Sequence, residues 1–184
     1  MSNVNQTANV ADSKPYIPPA TTDLTQAEKD ILAELQLLMQ TLEELDPKQI
    51  AAELEKKGVP QKQAEEEALQ EAKERSSSSY YISKLTNELQ ALTGVFKEDL
   101  TFGNPMSSED KQALESFEHK IDSVLNNFVD PHEPGKNILD WQADPQSMKI
   151  FLGDVLDSEP RDIGYVVNDL NPVEKQLEKL VGES

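Results

Sequence analysis

The chain has 184 residues, no cysteine, a net charge of −18 and an apolar fraction of 36%. Without cysteine there are no disulfides, thiolate nucleophiles or cysteine-ligated zinc sites. The charge divides as zero over residues 1–22, −7 over 23–75, −4 over 76–129 and −7 over 130–184, a field that disfavours nucleic acid and anionic membrane surfaces as partners.

An ordinary globular domain is roughly 45–50% apolar with glycine counted. A lower value implies either an unfolded portion or a fold that finishes burying its surface against a partner. No run approaches the roughly 18 apolar residues of a membrane span. No basic, apolar, small-residue series follows Met1. The expectation is a soluble protein, cytoplasmic or exported without a cleaved signal.

Met1 to Thr22 is polar and aperiodic, with prolines at 15, 18 and 19, and reads as a disordered leader. Thr25 and Glu28 fit a capping box opening the first helix. The helix then follows Ile31, Leu35, Leu38, Leu42 and Leu45 at steps of three and four. Asp46-Pro47 starts a short second helix, with Asp as N-cap and Pro at the first helical position, and Gly58-Val59-Pro60 stops it. Gln61 to Arg75 is helix-forming with a thin core face, Ala64, Ala68 and Ala72 beside Leu69. The serines at 76–79 either break the helix or are carried through it.

The second seam is Ile82, Leu85, Leu89, Leu92 and Phe96. Phe102-Gly103-Asn104-Pro105 reads as a loop. Ser107 or Ser108 caps a third seam of Leu114, Phe117, Ile121, Val124 and Phe128. The Pro- and Gly-rich stretch Asp130 to Gly135 reads as a boundary loop. Beyond it, Asp144-Pro145 opens an amphipathic helix carrying Met148, Phe151, Leu152, Val155 and Leu156. Asp162 to Leu170 is ambiguous between strand and helix, and favours helix because no partner strand is visible. Asn171-Pro172 starts a last helix with Val173, Leu177 and Leu180.

The pattern predicts an all-α fold, an elongated helical bundle or hairpin with coiled-coil-like seams. The expected helices lie at about 25–45, 47–57, 61–75, 79–100 and 108–129 in a main bundle spanning 23–130. A C-terminal segment, 131–184, adds helices at about 145–157 and 172–181.

No constellation for chemistry is readable. His119 lies two residues from both Phe117 and Ile121 and so points off the seam, while His132 sits in the proline loop. Neither has a nucleophile or a His-Glu-x-x-His neighbour, and Glu115 and Glu118 fail the Glu-x-x-His spacing of di-iron bundles. Glycines are scattered singly, which excludes a Gly-rich phosphate cradle. Catalytic, cofactor and metal residues are therefore expected to be none, and no small-molecule substrate is expected. An enzymatic pocket would have to gather His132, Asp140, Asp144 and Tyr165.

Candidate partner-binding residues are Trp141, between loop and helix, and Val173, Leu177 and Leu180, the thin edge of the last helix. The function these features favour is a non-enzymatic helical interaction module that pairs with another protein or with itself through its seams. Polar leaders of this type occur in type III-like secreted proteins, so an exported or virulence-associated bacterial component is preferred. The alternatives are a cytosolic adaptor or chaperone-like protein, or a regulatory inhibitor such as an acidic nucleic-acid mimic.

Overall fold

A computed structural model describes residues 19–101, 106–158 and 162–182. The fold is all-α, with helices α1 (Pro19–Leu45), α2 (Pro47–Lys56), α3 (Gln61–Ser76), α4 (Ser79–Thr101) and α5 (Ser108–Asn127). A two-stranded hairpin follows, β1 (Val129–Asp130) and β2 (Glu133–Asn137), then α6 (Ile138–Trp141), α7 (Pro145–Leu156) and α8 (Ile163–Gly182). Residues 1–18 of the expected leader lie outside the described residues, whereas 19–22 belong to the first turns of α1. Pro19 sits at the first helical position, where its missing N–H costs nothing. Thr25 and Glu28 are therefore inside a helix already running, and they do not open one.

The centre of the molecule is α1. Its seam residues Ile31, Leu35, Leu38, Leu42 and Leu45 are fully buried, and α4 and α8 pack against it. Burying a leucine contributes about 1.5–3 kcal/mol relative to leaving it in water, so this one helix anchors much of the fold. Ile82, Leu85, Leu89, Leu92 and Phe96 of α4 are all buried opposite. Gln36 donates to Glu178 at 3.4 Å near one end of the α1–α8 contact. At the other end Gly164 abuts Asp46, so α8 runs back along α1 in the opposite sense.

The turns follow local chemistry. Asp46 caps α2 by accepting from the Lys48 N–H at 3.0 Å. After α2, Gly58 takes φ +98° while Val59 N–H reaches Leu54 O at 3.1 Å and Gly58 N–H reaches Glu55 O at 3.0 Å. Those two bonds form a Schellman motif, which satisfies carbonyls the helix end leaves free. The serine run breaks the helix at Ser77–Ser78. There Ser78 Oγ accepts from the first turn of α4 through Tyr80 N–H at 3.2 Å. Arg75 donates to Glu44 O at 2.6 Å, covering an open carbonyl at the end of α1.

Two elements differ from the sequence reading, and α3 differs only at Leu69. In α3, Ala64, Ala68 and Ala72 form the core face their spacing predicts, packed against α2, while Leu69 beside them is left exposed. The Pro- and Gly-rich loop contains a hairpin, with Val129 opposite Asn137 and Asp130 opposite Glu133 around a bulge. Pro134 is tolerated because a two-stranded sheet leaves β2 an unpaired edge. Finally, α8 does not begin at Asn171; it starts at Ile163 and carries Pro172 inside it. Ile163, Val166, Val167, Leu170, Val173 and Leu177 make one buried stripe through the proline. That burial outweighs the roughly 3 kcal/mol a mid-helix proline costs.

One hydrophobic cluster includes residues from α1 through α8, so the segment after residue 130 shares its core with the helices before it.

Candidate functional site

The residues named from sequence fall in different places. Val173 and Leu177 are buried in the chain's own core, where they close the bundle against α1 and α5. Leu180 is half-buried at the end of the same stripe. Trp141 is half-buried, its ring 6.4 Å from Phe151 and its outer face under Lys136 Nζ at 5.1 Å. Its indole N–H is buried without a hydrogen-bond partner among the described residues. On α5 the seam passes through Leu114, Phe117, Ile121 and Leu125 and ends at its C-cap, Phe128. Val124 is half-buried at the flank, because the step of four from Ile121 to Leu125 stays on the core side.

That flank borders a groove. One part of it, about 810 Å³, is lined by Gln112, Glu115, Ser116, His119, Lys120, Ser123 and Val124 of α5 and by Asp169, Pro172, Val173 and Gln176 of α8. A second part, about 280 Å³, continues past Val124 and Asp169 to Asn127, Phe128, Asp162, Tyr165 and Val166. Because the two share Val124 and Asp169, they form a single open trough between α5 and α8. From Gln112 to Phe128 it covers sixteen helical steps, about 24 Å.

The sequence explains the trough. Ser116 and Ser123 on one wall and Pro172 on the other are too small to fill the space between two helices. Pro172 also has no N–H to offer the carbonyl of Asn168, which lies one turn earlier in α8. Lys120 Nζ donates to Gln176 Oε1 at 3.3 Å. His119 stands exposed, and the carboxylates Glu118 and Asp122 are its charged neighbours on α5. Partial burial raises both carboxyls above their ordinary range, and the imidazole opposes the shift.

The four groups an enzymatic pocket would need are not gathered. Asp140 caps α6 together with Asn137, and Asp144 caps α7 by accepting from Gln146 N–H and Ser147 Oγ. Hydrogen bonds from Ser147 first, then the Gln146 amide, lower the Asp144 pKa. Tyr165 lies on α8 with Lys48 Nζ 5.1 Å above its ring.

His132 has different neighbours. The hairpin turn places it beside Asp130 and, across from them, Asp154 of α7. Its Nδ1 is 3.3 Å from Asp154 Oδ1 and 3.9 Å from Asp130 Oδ1. Asp130 Oδ1 also accepts the His132 backbone N–H at 2.8 Å, which fixes the carboxylate plane. The Asp130 side chain is fully buried, Asp154 is 26% exposed and the imidazole is 68% exposed. Burial first, then the facing Asp130, raises the Asp154 pKa.

This triad was not found from sequence because Asp154 is 22 residues further on. The readable half of the signal was Asp-Pro-His, in which an Asp accepts from the amide two residues later and turns both side chains to one side.

Comparison with protein-family models, curated proteins and solved structures finds no match to this chain.

Proposed function

We propose that this protein is a non-enzymatic interaction module that binds a helical segment of a partner protein in the trough between α5 and α8. The supporting observation is the trough's shape. It extends about 24 Å between two antiparallel walls, with the half-buried Val124 and buried Val173 at its base, Pro172 on one wall, and the exposed Glu115, His119, Lys120 and Asp169 along its length. An amphipathic helix of about four turns has the matching length and lays an apolar ridge between polar flanks. A small-molecule site gathers a few polar groups at one point, whereas here they are strung along both edges.

The acidic exterior favours a partner with basic flanks, since complementary charge raises association rates and disfavours wrong partners. The seams themselves are consumed inside the bundle, so recognition uses the outer faces of α5 and α8. Within this class the polar character of residues 1–22 favours an exported component over a cytosolic adaptor. Secretion of a reporter fused to those residues is the measurement for that point.

The trough is tested by filling it. Ser123→Trp replaces an exposed residue at its middle and is expected to leave the melting temperature unchanged. Used as bait on extracts of the source cells beside the wild type, it should lose the partner the wild type retains. Sedimentation over a range of concentrations distinguishes a second copy of this chain from a foreign protein. If both baits retain the same partners, the trough is not the binding surface.

A further inference from the structure

We propose that Asp130, His132 and Asp154 form a binding site for a divalent transition-metal ion of the zinc class, which pins the hairpin turn to α7. One ligand atom from each residue can be chosen so that all three lie within 4.8 Å of one another. The 3.3 Å between His132 Nδ1 and Asp154 Oδ1 is the spacing two ligands take at one tetrahedral ion. Bonds of about 2.0–2.1 Å place neighbouring ligand atoms about 3.3–3.4 Å apart. Asp130 Oδ1 already accepts the His132 amide, so Oδ2, the oxygen that amide leaves free, is the one Asp130 offers to the ion.

A second observation points to the same occupant. Asp130 is fully buried and its Oδ2 has no hydrogen-bond partner among the described residues. A buried carboxylate oxygen left unpaired carries a large desolvation cost. Here its nearest charged side chains are a second carboxylate and an imidazole, and a divalent cation bound by two carboxylates and neutral histidine leaves a net charge of zero. The imidazole selects the ion, because Mg²⁺ and Ca²⁺ favour all-oxygen shells while zinc accepts mixed nitrogen and oxygen donors. The exposed face of His132 leaves a fourth position for water. The carboxylate of Asp130 is held by the His132 amide, the kind of support that orients a ligand before metal arrives.

The rival occupant is a proton shared between the two carboxyls. Titrating untagged full-length protein with Zn²⁺, followed by calorimetry and by metal analysis after dialysis, separates the two. The expected result is one equivalent of zinc with a rise in melting temperature, and neither from Mg²⁺ nor Ca²⁺ at the same concentration. His132→Ala alters an exposed turn residue, so the apo protein should melt as the wild type does while zinc affinity falls at least tenfold. Asp154→Asn should lose a similar factor. His119→Ala, which removes the α5 histidine and its neighbouring carboxylates as a competing site, should bind zinc as the wild type does. The proposal is overturned if uptake is not saturable at millimolar zinc, if binding survives His132→Ala, or if it is His119→Ala that abolishes it.

Discussion

Gly164 is where a single methyl group decides the fit between the first and last helices. A Cβ built there would lie 2.9 Å from Asp46 Oδ2 and 3.3 Å from Asp162 Oδ1. Neither oxygen is free to retreat, because Asp46 caps α2 and Asp162 Oδ1 accepts the Tyr165 N–H at 3.1 Å. Lys48 further ties the pair by a 3.2 Å bridge to Asp162. Gly164→Ala is therefore expected to lose about 1–2 kcal/mol by urea denaturation, since overpacking outweighs alanine's better helix propensity. A gain in stability would show that α8 does not approach α2 so closely. Residue-scale chemistry was legible where it was local, as at the Asp46-Pro47, Asp144-Pro145 and Gly58 signals. The closeness of Gly164 to Asp46, and of His132 to Asp154, joins residues distant in sequence, and no local pattern encodes either.

At the scale of elements, hydrophobic period located the long helices and even the thin alanine face of α3, and misjudged the start of α8, whose stripe a proline interrupts. The α3 stripe of three alanines carries little hydropathy, yet its lack of bulk is what permits close packing on α2. Pro172 looked like a helix start because Asn-Pro is a common one, but the stripe from Ile163 to Leu177 runs through it without losing step. Restoring the missing donor should therefore stabilise α8. Pro172→Ala is expected to raise the melting temperature by several degrees, corresponding to about 1–3 kcal/mol. It should weaken partner binding if the trough is the working surface, because the residue lines it. A lower melting temperature would mean that the proline is needed for the path of the helix.

For the molecule as a whole, the distribution of acids sets a pH dependence. Burial raises Glu28, Glu43, Asp46, Glu88 and Asp99, and nearby carboxylates add to it, Asp110 beside Glu28 and Asp30 beside Asp99 among them. A carboxyl whose pKa is raised on folding holds its proton longer in the native state than in the unfolded chain. Between the ordinary value of about 4 and the raised one, the native state binds more protons, so stability falls as pH rises through that window. The charge of −18 acts in the same direction through self-repulsion. Asp144, lowered by its hydrogen bonds, works oppositely and loses its contribution only as pH falls below about 4. At constant ionic strength the melting temperature should fall as pH rises from the ordinary carboxyl value of about 4, and Glu88→Gln should make that fall shallower. A melting temperature that climbs steadily as the pH rises above about 4 would contradict the burial of these acids.

The pairing of α1 with α8 has a consequence for biosynthesis. Gln36 and Glu178 are 142 residues apart, and the leucines of α1 have no complete cover until the stripe ending at Leu177 has left the ribosome. Contacts so distant along the chain form late, and until α8 emerges the α1 seam is covered on its α4 side while the side that α8 takes stays open.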